Sequence, residues 1–234
     1  MPQVVPPFLF VDLDLQEDLF AVDAPLRPQN RELALKSILE VVHAQPKLGV
    51  PMLSGVDVHQ ADDPEFSAGL KLHCLKDTPG AQRIGAVYRK ATPVIPESGK
   101  RHPWPDMSGI RAQAGDLMLE KRGFDLFSNP ALREILRNWE ARELLLFGAL
   151  LEHDIKETAL SARVLGYEVT VLDDACAYLD AQAAEATRTE LRKRGAKVEF
   201  VPEVLSRVAI WKRRMDRPAP KAAVAGKNKT EAKR

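Results

Sequence analysis

Four hydrophobic runs of this chain each lead into ionisable residues: Asp14, the Asp57/His59 pair, Lys121 and Asp154. Asp14 has the chemistry of a base and Lys121 that of an electrostatic partner. Asp154 adds a second acid, and like carboxylates raise the proton affinity of at least one of them while a lysine opposes that shift. A shared proton, or an Asp14–Lys121–Asp154 network, is one reading of these residue types. The other leaves each acid alone at a solvated strand end. What decides between them is the scaffold, because in an open parallel sheet the carboxyl ends of all strands face one crevice and bring distant residues together.

The elements that must do this positioning are legible as an alternating series. Residues 8–11 (FLFV) form a compact buried strand, and 30–44 follow as a helix with Leu33, Leu35, Ile38, Leu39 and Val42 on its buried stripe. A strand starting near Leu48 runs into Asp57 and His59, weakened locally by Pro51, which lacks a backbone donor. Residues 60–115 are rich in proline and irregular, as loops that shape a site are. DLMLEK at 116–121 is a short strand ending in Lys121, after which Asn129 caps a helix opened by Pro130. LLLFGALL at 144–151 is the central strand, leading into a helix from about 154 to 165 that stops before Gly166. The strand YEVTVLDDA, a helix over 181–194 and the strand KVEFV complete the series. The alternation predicts an α/β fold with a doubly wound, mainly parallel sheet and helices on both faces.

With 234 residues, 45% of them apolar, the chain can bury a full core as one domain. The net charge of +1 hides a division, because residues 212–234 carry nine Lys/Arg against two Asp/Glu and leave the body acidic. We therefore expect a domain over 1–211 and a flexible basic tail over 212–234. An acidic body gives no reason to infer a nucleic-acid partner. Cys74 and Cys176 are too few for a disulfide scaffold and read as small packing residues. No run approaches 18 apolar residues and the start has no basic leader, so the expectation is a cytoplasmic protein with no membrane partner. P-loop, Rossmann glycine fingerprint, zinc-finger and serine-elbow patterns are all missing from the sequence.

The segments Asp14-Leu15-Gln16-Glu17-Asp18, Asp57-Val58-His59, His73-Cys74 through Ala81, Glu120-Lys121 and Gly148 through Asp154 occur in the order seen in isochorismatase-like hydrolases. Over roughly residues 8–205 the chain resembles that superfamily, and its nicotinamidase-type members in particular. The resemblance implies a Rossmann-like sheet and a nucleophile at the start of the helix after the GALLEH strand and loop. In active members it is a cysteine, served by an aspartate matched here by Asp14 and a lysine matched by Lys121. This sequence has Asp154 at that position. A thiolate forms a thioester and leaves again, whereas a carboxylate forms a mixed anhydride and attacks an unactivated amide poorly. Cysteine-type amide hydrolysis is therefore not expected.

The resemblance also matches Asp57, His59 and His73 to the family's metal ligands, a donor set that suits zinc, iron or manganese. In the family such a site can orient a nicotinamide-like substrate. The polar loop Asp62-Asp63-Pro64-Glu65-Phe66 and the proline-rich stretch through Trp104 are placed to remodel that pocket. Two functions remain open. One is a metal-dependent hydrolase of a small polar amide or related C–N substrate. The other is a catalytically silent pocket that binds such a ligand or serves in an assembly, including a homo-oligomer.

Overall fold

The computed structural model of this protein describes residues 6–87, 89, 92–98 and 115–217. Its chain order is β1 (Phe8–Leu13), α1 (Glu17–Phe20), α2 (Arg31–Leu48), β2 (Met52–Asp57), α3 (Pro64–Ser67), β3 (Val94–Ile95), β4 (Asp116–Lys121), α4 (Ala131–Asn138), β5 (Glu143–Ala149), α5 (Lys156–Val164), β6 (Glu168–Ala177), α6 (Ala181–Lys193), β7 (Lys197–Glu199) and α7 (Val201–Met215). The strands form one sheet in the order β3-β4-β2-β1-β5-β6-β7, with every pairing parallel. This is the doubly wound α/β architecture that the alternation of apolar strands and amphipathic helices predicts.

The alternation along β1 shows why both faces must be covered. Phe8 and Phe10 pack with Ile38 and Val41 of α2 and Val204 and Val208 of α7, whereas Leu9, Val11 and Leu13 pack with Leu132 and Ile135 of α4, Ala159 of α5 and Leu191 of α6. Two apolar cores thus sandwich a sheet whose central strands are buried along their whole length. Chain order moves outward from β1 through β2 to β4, then returns to the other side of β1 with β5. That reversal opens a crevice at the carboxyl ends of β1, β2, β4 and β5.

Several local expectations need correction. The last stretch read as strand, KVEFV, divides: β7 ends at Glu199 and Val201 already begins α7, a helix the apolar period alone did not reveal. Pro202 sits in its first turn, and the Phe200 N–H donates to the Glu203 carboxylate at 3.1 Å. The same helix carries residues 212–215, and residues 218–234 of the expected basic tail lie outside the described residues. Asn129 does cap, accepting the Ala131 N–H at 3.0 Å, but its amide also donates to Pro96 and Glu120 carbonyls and so pins the chain after β4. Much of the proline-rich stretch, Trp104 included, lies outside the described residues. No helix among the described residues is long and apolar enough to cross a membrane.

Candidate functional site

All four ionisable positions lie on the crevice side, three at or just past strand ends and Asp154 in the turn that follows β5. Asp57 and Lys121 are the last residues of β2 and β4 and are direct register partners. Asp14 follows β1 with φ 52°, a left-handed conformation that aspartate tolerates better than most side chains. Its N–H donates to the Gly55 carbonyl at 3.0 Å. Gly148 near the end of β5 has φ 119°, and a Cβ there would collide with the Leu13 carbonyl. Only glycine lets β5 come this close to β1. Beyond it a wide helical turn over Leu151–Ile155 delivers Asp154.

The side chains meet around one ammonium. Lys121 Nζ lies 3.0 Å from Asp14 Oδ2, 2.5 Å from Asp57 Oδ1 and 2.7 Å from Asp154 Oδ1. Lys121 and Asp14 are fully buried, and Asp57 and Asp154 nearly so. Asp154 Oδ2 also accepts the Leu150 N–H at 3.3 Å. Asp14 is less well served, for neither of its oxygens has an aligned hydrogen bond, although Oδ2 is within ion-pair distance of Lys121.

Asp57 joins this cluster to the histidines. Its Oδ2 faces His59 Nε2 at 3.2 Å, and one ligand atom from each of Asp57, His59 and His73 falls within 4.8 Å of the others. The outer nitrogens are held from behind: His73 Nδ1 by the Lys71 carbonyl at 2.8 Å, and His59 Nδ1 by Asp63 at 3.1 Å, with Glu65 within ion-pair distance at 2.9 Å but not aligned for a hydrogen bond. Phe66 meets both imidazoles edge to face. Asp63 is paired in turn with Arg122. Buried Asp/His clusters able to chelate a metal ion are therefore present, and carboxylate or carbonyl support behind each histidine is what ligating imidazoles require.

The remaining letters of the Asp14–Asp18 segment act as staples. Gln16 accepts the Asp57 N–H at 2.9 Å and donates to the Asp57 and Ala81 carbonyls, each at 2.8 Å. Asp18 accepts the Cys74 N–H at 2.8 Å, next to His73. The His59 N–H donates to the Cys74 carbonyl at 3.0 Å, tying the two histidine loops together. The sequence placed Asp63 and Glu65 in a loop able to remodel the pocket and Gln16 in a family-like segment, but it did not reveal these contacts or the part of Arg122. It also assigned Asp57 to the metal alone, when Asp57 also pairs with Lys121.

Three carboxylates sharing one ammonium do not titrate alike. Burial disfavours the ionised form of Asp57, but Lys121 and His59 outweigh it and hold the carboxyl at about 2. Burial, reinforced by the charge of Asp57, pushes Asp14 well above the usual range, and burial also raises Asp154 against the pull of Lys121. For Lys121, burial is overcome by Asp14, Asp154 and Asp57, and its pKa rises. Burial of His59 is likewise overcome by Asp57 and Asp63, which raise it above 6.5.

These directions set how the metal-free protein responds to pH. The His59 contribution is fully present below 6.5 and lost as pH rises through its folded value. Asp14 and Asp154 act in the same direction above 3.8, because the unfolded chain ionises them freely while the fold resists. Asp57 opposes them only in acid, its contribution being lost as pH falls from 3.8 through about 2. The melting temperature of metal-free protein is thus expected to fall between about pH 5 and about pH 8, and Asp14→Asn to flatten that fall. A rise across the same range in thermal melts would contradict this electrostatic account.

A cavity of about 840 Å³ is lined by Ser54, Val56, Arg83, Arg89, Met118 and Glu120 among others. None of Asp14, Asp57, His59, His73, Lys121 and Asp154 lines it.

Residues 8–201 match the isochorismatase domain. The nicotinamidase of Escherichia coli (strain K12) is 26% identical over 114 residues, 49% of this chain and 48% of that protein. An isochorismatase family protein of Escherichia coli O157:H7 is 26% identical over 113 residues, 48% of this chain and 58% of its own length. The matches thus span about half the length of these relatives. Among solved structures, the nicotinamidase/pyrazinamidase of Bacillus subtilis superposes with a TM-score of 0.65 at 21% identity, covering 82% of this chain and 98% of that one. The pyrazinamidase of Pyrococcus horikoshii in complex with zinc gives the same TM-score at 21% identity, covering 83% and 99%. At these identities the superpositions speak to the fold. A domain match running from the first strand to the start of the last helix carries the assignment further: the chain belongs to the isochorismatase family.

Proposed function

We propose that this protein is a metal-dependent hydrolase of a small polar amide or related C–N substrate that works without a cysteine nucleophile. One observation carries the reading. The outer nitrogens of His59 and His73 are already committed to carboxylates and a carbonyl, which leaves both Nε2 atoms to join Asp57 in holding a divalent ion. Zinc, iron and manganese fit such an O,N,N donor set. When bound, the ion supplies Lewis-acid polarisation of a carbonyl and activation of water.

The chain supplies the rest. Asp14 holds or moves a proton at Oδ1, which has no hydrogen-bond partner among the described residues. Lys121 holds the negative charge that accumulates next to it. By resemblance Asp154 stands where the family places its thiol, and its carboxylate cannot form and release a thioester.

A second reading, a catalytically silent ligand-binding or assembly protein, is favoured by a different observation. Asp154 spends its carboxylate on Lys121 and on the Leu150 N–H, leaving neither donor free for a substrate. The two readings separate in one experiment. Wild type reconstituted with zinc, iron or manganese is expected to hold about one equivalent of metal, as one three-residue site allows, and His59→Ala/His73→Ala to hold none by elemental analysis. Turnover in a blind screen of small amides, lost with a chelator and restored by metal, supports the hydrolase. Metal binding with no turnover supports the silent pocket. Unchanged metal content in the double variant rejects the site.

A further inference from the structure

The carboxylates of Asp14, Asp57 and Asp154 lie within 4.8 Å of one another, with Lys121 Nζ among them at 3.0, 2.5 and 2.7 Å. That ammonium occupies the place a cation would take between three acids, so the trio has no room for a metal of its own. Yet one ammonium neutralises one carboxylate. With all three acids ionised, two negative charges would stand uncompensated in a space closed to solvent, where an unpaired charge is strongly disfavoured, and a nearby dication relieves that imbalance.

Asp57 is where the imbalance meets the histidines. Its Oδ1 is on Lys121 and its Oδ2 faces His59 Nε2 at 3.2 Å. Lys121 and a metal therefore compete for the charge of the same carboxylate. Asp154, at 2.7 Å, takes part of the lysine's charge and so leaves more of Asp57 for the metal side.

We propose that Asp154 is a positioning residue for the Asp57/His59/His73 metal site: without touching the ion, its fixed negative charge raises the affinity of that site for a divalent cation. Counting the three acids around Lys121 as ionised, three carboxylates, one ammonium and one dication sum to zero, so a bound ion balances this trio. A neutral side chain at 154 leaves the loaded cluster one charge positive and weakens the preference for a dication. The inference rests on the metal reading above, but it assigns Asp154 a role that neither hydrolysis nor silent binding requires.

The test compares wild type, Asp154→Asn and Asp154→Glu as full-length chains at pH near 7, using zinc or manganese alone in competition with a chromogenic chelator. Asp154→Asn keeps the shape and removes the charge. It is expected to bind roughly 10- to 100-fold more weakly, the loss usual for partners that act through a ligand, while Asp154→Glu binds close to wild type. Melting temperatures of the metal-free forms guard against misfolding. Removing a surplus buried charge is expected to raise the melting temperature of Asp154→Asn even as its metal affinity falls, whereas a damaged fold lowers both. Equal affinity of wild type and Asp154→Asn overturns the proposal and leaves the metal site standing. A fall in affinity and stability together, not rescued by Asp154→Glu, overturns it in favour of a structural role. Folded wild type that takes up no metal overturns both this proposal and the metal reading.

Discussion

Lys121→Met is expected to destabilise the protein by about 3–5 kcal/mol near neutral pH, the cost of removing one partner from a buried charge network. The lysine stands fully buried at the end of β4, and three carboxylates depend on it. Methionine fills a similar volume, so packing is largely conserved and the loss is electrostatic. Without the ammonium, the Asp14, Asp57 and Asp154 carboxyls repel one another in a solvent-free space and must take up protons. The deficit is therefore expected to shrink in acid, where protonation silences the repulsion, and to grow toward alkaline pH. Chemical denaturation at two pH values measures it. Adding Asp154→Asn removes one of the stranded acids and is expected to recover part of the loss, a non-additivity typical of residues in contact. A loss under about 1 kcal/mol, as for a solvent-screened surface pair, would mean that water reaches the cluster and that its burial does not govern its energetics.

The same cluster shows what could be read from sequence. Apolar runs ending in Asp14, Asp57 and Lys121 located three strand ends, because a buried parallel strand leaves a nearly continuous hydrophobic signature that stops where the chain meets the crevice. Order along the chain then sufficed to bring Asp14, Lys121 and Asp154 together, since the sheet rather than local sequence does the positioning. The bifurcated role of Asp57 was not legible. Whether its second oxygen faces a lysine or a histidine depends on Asp57 and Lys121 being register partners across β2 and β4, a property of the pairing and not of either segment.

The contacts of Asp63 and Glu65 with His59 escaped for a related reason, although their loop was legible as one that shapes the pocket. Both sit in a short polar loop whose composition resembles any solvated turn, and only the fold turns them back onto His59. Helix α7 escaped because its start, Phe200-Val201-Pro202, follows the alternating Lys197-Val198-Glu199 of β7 without a turn residue, so KVEFV reads as one alternating strand. Its signal was the Pro202 and Glu203 pair at the first turn, which marks a helix start.

The native protein is expected to offer no thiol for acyl transfer. Cys74 and Cys176 are both free and fully buried. Burial, with nearby acids adding to it, pushes both thiols well above the usual cysteine range, the reverse of what a nucleophile needs. Cys74 is near the histidines in sequence, yet its neighbours Asp57, Asp14 and Asp18 raise its pKa and only Lys121 opposes them. Alkylation by a small thiol reagent should therefore proceed roughly 10³-fold or more slowly in native than in denatured protein, because labelling waits on opening of a stable fold. Two thiols should appear on denaturation. Incubation with nicotinamide or a similar unactivated amide is expected to leave no substrate-derived mass on either cysteine. Asp154→Cys changes the chemistry at one point. A thiol there lies against the Lys121 ammonium, which favours the thiolate, so it should alkylate ahead of both native cysteines and acylate weakly if substrate reaches it. A thioester trapped on Cys74 or Cys176 of the wild type would overturn this account, since it would place a working nucleophile where burial and the surrounding acids disfavour one.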